Sequence, residues 1–99
     1  MNIQIRIEEK LSAGLELQHL DVQNESGNHN VADGAESHFR VVLVAEAFSG
    51  VPLISRHRRV NQLLAAELKD IHALALHTYT ETEWQARHGD APMSPPCLN

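Results

Sequence analysis

Residues 38–48 read HFRVVLVAEAF, and the apolar side chains in the middle of this run fall on both parities. Successive side chains of a strand point to opposite faces, so such a run is expected where a strand is covered on both sides or central in its sheet. Ser49-Gly50 then breaks it. From Ser55, placed as the N-cap, Val60, Leu63, Leu64 and Leu68 repeat at helical spacing with Gln62, Glu67 and Lys69 outside. The following stretch, HALALHTYT, is a β-rich apolar run that opens on His72. A strand, a helix and a strand in succession predict a right-handed crossover with the two strands parallel.

The remaining elements are shorter. Ile3, Ile7 and Leu11 recur every four residues, which predicts an amphipathic helix ending near Gly14. In ELQHLDVQN, Leu20 and Val22 alternate with Asp21 and Gln23, the mark of a half-buried strand antiparallel to the next. NESGNHNVADG, from Asn24 to Gly34, is a polar loop longer than a hairpin needs, and it carries His29. Glu81 to His88 forms a last short helix, with Trp84 and Tyr79 as packing residues beneath it. The expected fold is α+β, ordered α-β-β-α-β-α around a three-stranded mixed sheet. Ninety-nine residues, 42% of them hydrophobic, suit one core. Residues 1–89 are read as a single domain, and 90–99, with three prolines, as a disordered tail.

A net charge of −5 opposes nonspecific coating of nucleic acid or of anionic membrane, so contact with either needs a local basic patch. Cys97 is the sole cysteine, which rules out an intramolecular disulfide. MNIQIRIEEK places charges where a signal peptide needs an apolar segment, and no stretch approaches membrane-spanning length. A cytoplasmic protein without membrane partners is expected. No nucleophile elbow, phosphate loop or paired-carboxylate motif is present, so an enzyme is not expected.

Two groups of residues carry chemistry. Arg56, His57, Arg58 and Arg59 crowd the start of the second helix, where each exposed cation opposes the macrodipole by about 0.3 to 1 kcal/mol. They either pair with acids such as Glu46 or form a docking patch for phosphate or an acidic partner. Seven histidines invite a metal reading, yet no HxxxH, HExxH or CxxC spacing supports a self-contained zinc site. His72, at a strand entrance, and His29, in the long loop, stand out by location.

ESHFRVVLVAEAFSGVPLISRHRRVNQLLAAELKDIHALALHTYTETEW resembles the core of the BolA family, through its SHF strand, F-x-G turn, RHR helix, HAL strand and T-x-x-EW ending. The likeness runs from RIEEKL to SPPC and is closest to bacterial BolA proper. It implies a fold similar to class II KH domains, although FSGVPLISRHR has only Gly50 where a KH clamp needs GxxG. It further implies partnership with a monothiol glutaredoxin and a shared 2Fe-2S cluster, with glutathione supplying a thiolate. Carried over by position, His72 is one ligand and His29 the second, with His38 the alternative. That adaptor role, in iron-sulfur assembly and trafficking or iron and redox regulation, is the function expected; the alternative that the resemblance implies is a helix-turn-helix-like contact of the basic helix start with promoter DNA, in the control of stress, cell shape and biofilm programmes.

Overall fold

The structure is a computed structural model, and it describes residues 2–26 and 38–91. His29, most of the expected Asn24–Gly34 loop, and residues 92–99 with Cys97 lie outside the described residues.

Asn2 caps the first helix, α1 (Ile3–Gly14), its side chain accepting from the Ile5 N–H at 2.8 Å. Ile7 and Leu11, one helical turn apart, are fully buried. Gly14 ends the helix against the Leu63 side chain, whose Cδ2 methyl, 2.6 Å from where a Cβ would stand, would have to shift to admit one.

Strands β1 (His19–Asn24), β2 (His38–Val44) and β3 (Ala73–Tyr79) form one sheet in that order, antiparallel then parallel. β2 is central, and Phe39 to Val44 are buried without interruption, as its apolar residues on both parities require. On one face Phe39, Val41 and Leu43 meet Ile7, Leu11, Val60 and Leu64 in the core. On the other, His19, Val44 and Tyr79 form one cross-strand row. Trp84 covers that row, stacked on His19 at 5.1 Å and tilted against Tyr79 at 5.4 Å.

After β2 a 3₁₀ turn (Glu46–Phe48) leads to Gly50, whose φ of +73° suits a residue without a side chain. The next helix, α2 (Leu53–Leu63), begins three residues before the expected start. Pro52 stands at its cap, and the Ser55 N–H is already bonded to the Pro52 carbonyl. Ser55 is therefore inside the helix and not its cap. Leu53 and Ile54 are both 61% exposed, so core periodicity gave no sign of the earlier start. Leu64 interrupts the expected single helix, and α3 (Ala65–Leu68) follows. The last helix is α4 (Glu81–Ala86).

Glu67, expected outside, is 1% exposed. Its carboxylate meets Arg6 Nη2 at 3.0 Å and Lys10 Nζ at 3.2 Å, tying α3 to α1. Burial pushes the carboxyl up, but hydrogen bonds and charge from Lys10 and Arg6 outweigh it and hold the group below its ordinary value of 4.5. A carboxyl depressed in the fold stabilises above its unfolded value and loses that contribution as pH falls through the folded one. Stability of the wild type is accordingly expected to fall as pH drops below 4.5. Glu67→Gln should be less stable at pH 7 and lose less on acidification, as read from urea midpoints across pH.

Candidate functional site

The two groups singled out in the sequence come to opposite ends of the sheet. At one end, the β2/β3 register pairs His38 with Ala73 and so brings in His72, the residue before β3. The two imidazole centroids lie 5.1 Å apart with the rings tilted by 45°. His72 is exposed and His38 half-buried. The Ser26 hydroxyl accepts from the His38 N–H at 3.1 Å, and the His38 carbonyl accepts from the Glu25 N–H at 2.8 Å. The start of β2 is thus held while the ring of His72 faces solvent.

Among the described residues no three metal-ligating side chains gather. Two adjacent imidazoles without a thiol fit half of a four-ligand iron site, the other half coming from outside this pair. His29 lies outside the described residues. His77 stands apart on β3, its imidazole held below its usual value by burial and then by the Arg40 and Arg87 cations.

At the other end the basic cluster divides. Arg56 is turned inward and only 6% exposed. Its Nε donates to the Val51 carbonyl at 2.8 Å and its Nη1 to the Thr78 carbonyl at 3.1 Å. The guanidinium also forks onto Glu83 at 2.7 and 3.2 Å and lies 5.7 Å over the Phe48 ring. The expected partner Glu46 instead accepts from the Glu81 N–H at 3.3 Å. Arg56 therefore uses four of its five N–H donors within the fold while still lining the same cavity as Arg58 and Arg59.

Glu83 has a second task. Its carboxylate accepts from the Thr80 N–H at 2.8 Å while the Thr80 hydroxyl accepts from the Glu83 N–H at 3.2 Å, a capping box that starts α4. The Arg56 hydrogen bond and then the Thr80 N–H hold its carboxyl below the ordinary value against a small opposing effect of burial. The T-x-x-E spacing in TETEW could have pointed to this pairing.

Arg58 and Arg59 are exposed, His57 is half-buried, and neither arginine makes an ion pair among the described residues. Both line an open cavity of about 310 Å³ with Phe48, Ser55 and Gln62. α2 itself contains no acid. Its outward side is thus a concentrated positive patch on a net negative molecule.

A family model described as BolA-like protein matches residues 11–83. The chain is similar to two bacterial proteins named DNA-binding transcriptional regulator BolA. It is 54% identical to that of Vibrio cholerae over 97% of this chain and 92% of the relative. With that of Escherichia coli it shares 50% identity over 98% and 93% of the two chains. The solution structure of mouse BolA1 superimposes with a TM-score of 0.84 at 38% identity, covering all of this chain and 80% of that one.

The division of the arginines is measurable. Arg56→Ala strips the buried Thr78 carbonyl and the part-buried Val51 carbonyl of a donor and should cost about 2 to 4 kcal/mol. Arg58→Ala and Arg59→Ala should each stay within about 0.5 kcal/mol of wild type in chemical denaturation.

Proposed function

The chain belongs to the BolA family, and from that premise we propose that it is a transcriptional regulator that binds promoter DNA through α2. The observation that carries this reading is the outward face of α2, where Arg58 and Arg59 stand exposed and without ion pairs among the described residues, on a helix that has no acid. The printed names of the two bacterial relatives support it. A regulator acts by binding, so no reacting group is assigned.

The charge balance sets the character of the contact. A net charge of −5 repels the duplex as a whole, so attraction is confined to the patch and depends steeply on salt. Guanidinium forks of Arg58 and Arg59 take phosphate oxygens. Arg56 holds the helix that presents them.

The His38–His72 pair favours a second reading, that the chain pairs with a monothiol glutaredoxin around a 2Fe-2S cluster. In it His72 and either His38 or His29 supply imidazole ligands, while the glutaredoxin cysteine and glutathione supply thiolates. Such a cluster brings one-electron redox chemistry, at a potential raised by imidazole ligation. This chain's part is to hold two imidazole rings side by side, one anchored in β2 and one open to a partner.

Two measurements separate the readings. In fluorescence anisotropy with promoter duplexes, Arg58→Ala/Arg59→Ala should weaken binding and reduce the slope of log K against log salt by about 2. Equal binding by wild type and the double variant would sink the DNA assignment to α2. In an anaerobic titration with glutathione-ligated 2Fe-2S monothiol glutaredoxin, wild type should change the visible circular dichroism and form a heterodimer, and His72→Ala should do neither. An unchanged spectrum with wild type removes the cluster reading.

A further inference from the structure

Leu53 and Ile54 are the most exposed large hydrophobic residues among those described, each at 61%. They form the first turn of α2, and residues four apart share a helix face, so Leu53 stacks toward His57 and Ile54 toward Arg58. Asn61 and Gln62, both exposed, continue the same outward side. Nothing in the core asks for apolar residues at 53 and 54. The inward positions of α2 are taken by Arg56 and Val60, both buried.

The chemistry of this side is that of base-edge recognition. Arginine forks match guanine, amide side chains match adenine, and apolar side chains match the one apolar group in the major groove, the thymine methyl. A helix with no acid and with cations beside its apolar turn is complementary to a polyanion that also presents apolar spots. Resting on the DNA reading above, we infer that Leu53 and Ile54 are specificity-determining residues that contact thymine methyl groups, while Arg58 and Arg59 supply the attraction. Affinity and sequence preference then reside in different residues of one helix. Phosphate contacts set the salt dependence, and the apolar turn sets which duplex is preferred.

The test uses the full chain and a random 20-base-pair duplex library, from which bound sequences are selected and resynthesised with thymine or with deoxyuridine, which lacks the methyl. By the transfer free energy of one buried methyl, wild type should lose about fourfold in affinity per contacted thymine replaced. Leu53→Ala/Ile54→Ala should bind both versions equally and keep the wild-type salt slope, since both side chains are exposed and alanine favours helix. Arg58→Ala/Arg59→Ala should weaken both versions alike with a smaller slope. If wild type binds duplexes but ignores the methyl, or the apolar variant keeps the full thymine preference, the inference is overturned and the DNA reading stands. If wild type binds no duplex, both fall. Binding to phosphatidylserine vesicles that the apolar variant loses, with its DNA binding unchanged, would reassign the turn to a membrane surface and likewise overturn the inference.

Discussion

Arg56 is the joint on which the C-terminal half of the molecule depends. One guanidinium meets the turn before α2 through the Val51 carbonyl, the end of β3 through the Thr78 carbonyl, and α4 through Glu83. A lysine carries the same charge but no planar fork, so it could not serve three elements at once. Because Glu83 also closes the Thr80 capping box, the ion pair and the start of α4 form together. The desolvation of this charge is offset by bonds that all go to oxygens, two carbonyls and one carboxylate.

The second constraint is the parallel pairing of β2 with β3. Matching Phe39 to Leu74 and Val41 to Leu76 puts large residues of both strands into the core under α1 and α2. The same register sets His38 opposite Ala73, which leaves His72 at its side. Adjacency of the two rings is thus a by-product of packing several residues away. Slipping the register by one residue would turn every side chain of β3 to the wrong face and separate the histidines as well.

Much of this was legible in the chain. The two-parity run of β2 announced a central strand, and Ile3, Ile7 and Leu11 announced α1, because apolar spacing reports burial directly. The ends of α2 were less readable. Leu53 and Ile54 are helical without being in the core, so a pattern built on buried residues begins too late. Glu67 was placed outside, and Arg56 was left between an ion pair and a docking patch, because charge is ordinarily a sign of exposure. Their phase said otherwise: Arg56 lies one turn before Val60, and Glu67 three residues after Leu64, on the same buried stripe. At the sheet entrance, His72 was marked by location, but its nearness to His38 is a matter of strand register that spacing along the chain does not contain.

The sheet keeps the histidine pair and the arginine patch at opposite ends. β2 takes six residue steps from His38 to Val44, about 20 Å at strand rise, whereas charges in a physiological medium are screened over about 8 Å. The two ends are therefore electrically insulated from each other. A change of charge beside His72 alters the field at Arg58 very little. Any communication between them has to be mechanical, carried as a displacement along β2 and β3, and β3 ends on the carbonyl that Arg56 grips. The Arg56 joint is where a displacement of β3 would reach α2.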